Sequence, residues 1–268
     1  MKKGLATLLL FVISLSAHGK IITKEYPYKL DTTTFKGFLA FDDAITGKRP
    51  GVLVVHEWWG LNDFAREQAK KVAALGYIAL AVDMYGYGKN TTDPKEAASL
   101  AGALRGTPTM RARIAAGLNA LTGIEHVDPS RIAAIGFCFG GTAVLGLAYG
   151  GSDVRGVVTF HGGLFSPKKE DLAGIKAKFL FLHGSEDPTV SPDTIRHMEE
   201  ELTKAGADWQ TVFFSNTVHS FTNPSAGSDK SRGVAYNPLS AQRAWKDMEL
   251  FLKELFSPMQ EAARPNVK

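Results

Sequence analysis

A cysteine between glycines, followed by an aspartate and then a histidine, is the set of residues in this chain best suited to covalent chemistry. Ile135-Gly136-Phe137-Cys138-Phe139-Gly140-Gly141 has the pattern G-x-C-x-G. This is the cysteine counterpart of G-x-S-x-G, in which a sharp strand-to-helix turn presents a nucleophile. Glycines two before and two after leave room for the neighbouring backbone. A thiol at a helix N-terminus also gains thiolate character from the partial positive charge there. A lone cysteine is most often a small buried hydrophobe. Here the flanking glycines and the switch from strand to helix favour a nucleophile. A dinucleotide fingerprint, G-x-G-x-x-G, would need glycine where Cys138 stands.

A cysteine nucleophile needs a base, and the base needs an orienting acid. In this kind of sheet they follow the nucleophile as acid, then histidine. Leu182-His183-Gly184-Ser185-Glu186-Asp187-Pro188 places Asp187 in a turn past a strand, with Glu186 as the adjacent alternative. Val218-His219-Ser220-Phe221 places His219 in a loop after the last strand. His56-Glu57-Trp58-Trp59-Gly60 ends an earlier strand. It is not H-E-x-x-H, because position 60 is glycine, so a zinc-protease site is excluded. Its place suits the loop that supplies one N–H of an oxyanion hole, which predicts the Trp58 and Phe139 amides as donors. Glu57, a carboxylate amid tryptophans and buried strand, is either a salt-bridged surface residue or functional. His161-Gly162-Gly163 reads as a structural turn. His126, His183 and His197 lack metal-ligand spacing, and no metal or organic cofactor is expected.

The elements that must position these groups alternate strand and helix. Residues 21–41 read as an antiparallel pair with apolar residues at alternate positions. Gly51–Val55, Tyr77–Val82, Arg131–Ile135, Val154–Phe160, Phe179–Leu182 and Thr211–Phe214 read as strands, several of them continuously apolar, as in a sheet buried on both faces. Asn62 and Ser191 are helix caps, Gly76 and Gly206 are stops, and Asp128-Pro129-Ser130 is a turn. Helical spacing recurs over 97–104 and 110–121, and again in the last helix, with Trp245, Met248, Phe251, Leu252 and Leu255. The expectation is an α/β-hydrolase fold: a doubly wound, mostly parallel sheet with helices on both faces. Ligands bind at the carboxyl ends of its strands, where every polar candidate falls. Segments 86–112 and 220–238 flank that edge and are long enough for lids.

The chain has 268 residues, 44% hydrophobic and 22% charged, with a net charge of +4. Met1-Lys2-Lys3, an apolar run from Leu5 to Leu15 and small residues up to Gly19 have the order of an export signal. This predicts a signal peptide over 1–19, one domain over 20–268 and a periplasmic or secreted product. Removing Lys2 and Lys3 would leave +2, too little to call for nucleic acid or an anionic membrane. The single cysteine excludes an internal disulfide framework.

Glu57 in H-E-W-W-G, Asp83-Met84-Tyr85, G-F-C-F-G-G, Gly184 to Asp187 and His219-Ser220-Phe221 together resemble the dienelactone hydrolase family. The resemblance runs from about Gly51 to the last helix. It implies Cys138, Asp187 and His219 as a triad, and a Glu57 that contacts the resting thiol and helps generate thiolate. It also implies a pocket lined by Tyr85 and Ser220; Tyr87 and Phe221 beside them complete the expected substrate contacts. The best-known members hold a substrate carboxylate with two arginines, where this chain has Tyr87 and Asn223. A dienelactone carboxylate therefore fits less well than an uncharged acyl group.

The expected function is hydrolysis of activated carboxylic esters or lactones through an acyl-thioenzyme. The expected partner is a small-molecule substrate, with no nucleic acid and no membrane after signal removal, and a monomeric chain. One alternative is a non-hydrolytic small-molecule-binding protein on the same fold. Another, a thiol redox sensor, lacks a resolving cysteine.

Overall fold

The computed structural model describes residues 19–44 and 46–257. The export-signal reading falls, apart from Gly19, outside the described residues. Eight strands form one sheet in the order β1-β2-β4-β3-β5-β6-β7-β8. β1 (Ile21–Leu30) and β2 (Thr33–Asp42) are the expected antiparallel pair, and β2 joins β4 (Ile78–Val82) antiparallel. β4, β3 (Arg49–Val55), β5 (Val127–Phe137), β6 (Gly156–Phe160), β7 (Lys178–Gly184) and β8 (Trp209–Phe214) are all parallel.

Alternation along the strands splits the core between two helical layers. Leu53, Val55, Phe179 and Phe181 pack on one face with α3 (Pro108–Thr122), α4 (Phe139–Tyr149) and α5 (Pro192–Lys204). Val52, Val54, Leu180 and Leu182 pack on the other with α1 (Asp63–Ala74) and α6 (Pro238–Phe256). The helices start where short polar side chains can accept from free N–H groups. Asn62 Oδ1 accepts from Ala65 N at 3.3 Å, and Ser191 Oγ accepts from Thr194 N at 3.1 Å. A cap of this kind contributes about 1 kcal/mol. α2 (Pro94–Leu104) and α3 start on prolines behind Asp93 and Thr107.

One local expectation is corrected. Asp128-Pro129-Ser130 is not a turn between elements but a bulge inside β5, where the register against β3 jumps between Pro50 and Gly51. The Asp128 carboxylate accepts from Ser130 N, Ser130 Oγ and Arg131 Nε, which stabilises the extra residues locally.

The carboxyl ends of β3, β5, β6 and β7 lie side by side. The first residues past these ends are His56 and Glu57, Cys138, His161, and Ser185 to Asp187. The chain leaving β8 brings His219 to the same edge. No helix among the described residues is long and apolar enough to cross a membrane.

Candidate active site

Cys138 sits between β5 and α4 at φ 52° and ψ −113°, a backbone conformation that costs of order 1–3 kcal/mol for a residue with a side chain. The turn is held by Cys138 N donating to Phe160 O at 3.0 Å and Gly141 N donating to Cys138 O at 3.0 Å. Its glycines are required by contact. A Cβ on Gly136 would lie 2.1 Å from Gly140 O, and one on Gly140 would lie 2.3 Å from Val55 O. His161, at φ 41°, and Ser220, at φ 56°, are also left-handed, so three of the six such non-glycine residues described here meet at this edge.

The structure brings together the residues expected from sequence. The Cys138 sulfur is 3.1 Å from His219 Nε2, and His219 Nδ1 is 2.8 Å from Asp187 Oδ2. Asp187 Oδ1 accepts from Thr189 N at 2.9 Å and from Thr189 Oγ1 at 2.6 Å. The carboxylate is thus fixed on both oxygens. Glu186, the alternative acid, instead pairs with Lys230 at 3.2 Å in solvent. The His219 backbone is pinned by Gly233 O and Ala235 N.

Electrostatics follow from these contacts. Burial alone would push the Asp187 carboxyl up, but the His219 and Thr189 hydrogen bonds draw it down to about 2. Burial alone would lower His219; the Cys138 sulfur and Asp187 overcome this and raise it to about 10. His161 lies edge-on to the His219 ring with centroids 5.3 Å apart. Burial first, and then the neighbouring His219, hold His161 well below the usual imidazole range, hence neutral. Its Nε2 meets Thr222 Oγ1 at 2.7 Å.

The Trp58 and Phe139 amides, expected as oxyanion donors, take no hydrogen bond to a described protein acceptor. Trp58's peptide is held from the far side, since Tyr85 Oη donates to Trp58 O at 2.7 Å. Burial first, and then the nearby Cys138, raise the Tyr85 phenol, so it remains a donor. The turn carrying Tyr85 is fixed by the buried Asp83 carboxylate, which accepts from the backbone N–H of Lys36, Tyr85, Gly86 and Gly88.

Four expected residues are placed differently. Glu57 makes no hydrogen bond to the thiol. Its Oε1 accepts from Ser220 Oγ at 2.9 Å and its Oε2 from Asn223 Nδ2 at 2.5 Å. Burial pushes the Glu57 carboxyl up, and the Asn223 and Ser220 bonds only partly offset this. Ser220 therefore spends its hydroxyl on Glu57. Phe221, expected to contact substrate, is fully buried against His161 and Phe214, because the strained turn at Ser220 directs it into the sheet-side core. Tyr87 lies 67% exposed at the turn tip. Thr189, Thr222 and the role of Asn223 were not legible beforehand. Only D-x-T at Asp187–Thr189, a frequent side-chain-to-backbone turn pattern, carried a signal. Among the described residues no group of three or more His, Cys, Asp or Glu has the arrangement of a metal site.

Comparison with known proteins gives the family and the fold. The model of the dienelactone hydrolase family matches residues 35–256. The protein usf of Aquifex pyrophilus is 30% identical over 211 residues, covering 76% of this chain and 88% of its own. A dienelactone hydrolase-like promiscuous phosphotriesterase from metagenomic libraries superposes with a TM-score of 0.85 at 39% identity, covering 88% of this chain and 99% of its own. The structure named m3DLH superposes with a TM-score of 0.86 at 41% identity, covering 89% and 100%.

Proposed function

The chain belongs to the dienelactone hydrolase family and is a hydrolase of the ester and lactone type, and from that premise we propose that it works through Cys138, His219 and Asp187 by way of an acyl-thioenzyme. The observation that carries this reading is the continuous relay from sulfur to imidazole to carboxylate, at 3.1 and 2.8 Å. His219 Nε2 takes the thiol proton. The sulfur attacks the acyl carbon, and the carbonyl electrons move onto oxygen, which accepts from the Trp58 and Phe139 amides. The oxyanion collapses, the C–O bond to the leaving group breaks, and His219 returns the proton to that group. Water then adds to the thioester with His219 again taking a proton, the second oxyanion collapses, the C–S bond breaks, His219 returns the proton to the Cys138 sulfur, and the free acid leaves. Asp187 keeps the imidazole in the Nδ1–H tautomer and stabilises it when charged.

Sulfur also restricts the substrate. A thiolate leaves more readily than an alkoxide, so the tetrahedral intermediate reverts unless its other substituent is a good leaving group. The substrates are therefore activated: enol lactones, aryl esters or thioesters. Asn223 donates to Glu57 and accepts from Ser225 N at 2.9 Å, so no cation stands there to hold a carboxylate. The acyl part is then neutral, or charged at a different place.

The experiment is a rate comparison between aryl and simple alkyl esters of one acid, with iodoacetamide titration of the enzyme. A strong aryl preference and loss of turnover in proportion to alkylated thiol are expected. Equal kcat/KM for the two esters, or activity that survives full alkylation, would overturn the reading. A phosphotriester with the same aryl leaving group belongs in the same screen, given the relative named for that activity.

A further inference from the structure

We propose that His161 is a positioning residue for the base: its ring anchors the turn that carries His219 to the end of β6, beside the cysteine turn. This role rests on the triad reading above. His161 is the first residue past β6, and the residue before it already holds the nucleophile, since Phe160 O accepts from Cys138 N at 3.0 Å. On the other side, His161 Nε2 meets Thr222 Oγ1 at 2.7 Å, in the turn that follows the base. Adjacent residues thus grip both reacting partners, Phe160 the cysteine turn and His161 the histidine turn.

Each part of this anchor is itself fixed. His161 is fully buried at φ 41°, and its backbone N–H donates to Leu182 O in β7 at 2.9 Å. Strained backbone of this kind persists only where its surroundings over-determine it. The ring lies edge-on to His219, with centroids 5.3 Å apart, and edge-on to Phe221, with centroids 5.2 Å apart. It therefore stands against the base and against the turn that bears it. That turn is closed by Asn223 N donating to Ser220 O at 3.0 Å, and Thr222 lies between these residues. Anchoring the Thr222 hydroxyl limits how far the His219 ring can move from the sulfur, 3.1 Å away.

A phenylalanine could fill the same space, so packing alone does not call for an imidazole. What the imidazole adds is the nitrogen facing Thr222. Its other nitrogen, Nδ1, has no protein partner among the described residues, so Thr222 is the ring's polar link to the site. The ring adds no charge, because burial first, and then His219, hold it neutral against the opposing pull of Asp187. It can therefore stand beside an imidazolium at 219 without repelling it. Histidine also tolerates a left-handed backbone better than most residues, so the anchor is best broken from the Thr222 side.

The experiment measures aryl-ester hydrolysis, and the rate of Cys138 alkylation by iodoacetamide near neutral pH, for wild type, Thr222→Val, Thr222→Ser, His161→Phe and the His161→Phe, Thr222→Val double variant. Circular dichroism shows whether each is folded. Misplacing reacting groups by about an ångström costs on the order of 100-fold, and loss of one anchor moves the base by less, so Thr222→Val should lower kcat by about tenfold, with KM moving less. Thr222→Ser keeps the hydroxyl and should recover most of that loss. Alkylation should slow along with kcat, because a thiol loses reactivity as its imidazole partner moves away. The double variant should be no worse than His161→Phe alone, since both changes break the same bond. Wild-type kcat or an unchanged alkylation rate in Thr222→Val, a serine variant as poor as valine, or losses that multiply in the double variant would overturn the anchor. If His161→Phe does not fold, the two Thr222 variants decide between the same outcomes. A Cys138→Ala variant that still hydrolyses ester would instead defeat the triad reading, and alkylation of the other variants would still report the placement of His219.

Discussion

His219 Nε2 lies 3.1 Å from the Cys138 sulfur, although 81 positions separate the two residues in the chain. The contact joins a thiol on a strained turn to an imidazole whose other nitrogen is held by Asp187. That arrangement sets the sulfur against a hydrogen-bonded imidazole rather than in apolar packing.

Removal of either member should therefore fail as a unit. Cys138→Ala should abolish turnover. His219→Ala should lower kcat/KM by about 1,000-fold or more, and the double variant should be no worse than Cys138→Ala alone, because residues acting together are not additive. Single-turnover and steady-state kinetics check this. Multiplying losses in the double variant would mean that the two residues act independently.

Tyr85→Phe should act on the transition state without touching the reacting atoms. It removes the 2.7 Å bond to Trp58 O and frees the peptide that presents the oxyanion amide. A fall in kcat of about 5–10-fold with little change in KM is expected, short of the ~100-fold for loss of a donor itself. A purely KM effect would make Tyr85 a substrate contact only.

The pH dependence of stability has two limbs. Asp187 is drawn down to about 2 from its ordinary 3.8, so its stabilisation is present above that ordinary value and is lost as pH falls through about 2. His219 is raised from 6.5 to about 10, so its contribution is complete below 6.5 and is lost as pH rises through about 10. Urea midpoints across this range, for wild type and Asp187→Asn, check the assignment. The variant should flatten the acid limb, and parallel curves would place the acid sensitivity elsewhere.

Gly140→Ala should be poorly tolerated even though alanine favours helices. Its Cβ would lie 2.3 Å from Val55 O and 2.7 Å from His56 O, and backbone on that side cannot move without shifting β3. The melting temperature should fall by more than about 5 °C. A variant as stable as wild type would mean that the turn at Cys138 can relax.

Much of this was readable from residue types. The glycines around Cys138 and the apolar strands of the sheet are local signals, and so are the caps at Asn62 and Ser191. The structure keeps them because steric and periodic constraints act over a few neighbours. Asp128-Pro129-Ser130 misled for the converse reason. Its composition is that of a turn, but pairing of β5 with β3 on both sides carries the strand through as a bulge. Phe221 misled because a residue beside a base looks like pocket lining, whereas the left-handed Ser220 sends it into the core.

Residue types and their order along the chain determined the sheet, the nucleophile turn and the candidates for acid and base. Hydrophobic period, capping and glycine sterics depend on short-range geometry, which the order of residues encodes directly. Folding alone decided which acid faces His219 and what Glu57 holds. Asp187 and Glu186 are neighbours with the same chemistry, and only their directions, into the site or toward Lys230 in solvent, distinguish them. Glu57 and Asn223 stand 166 positions apart, and a hydrogen bond over that separation depends on packing that no local pattern records.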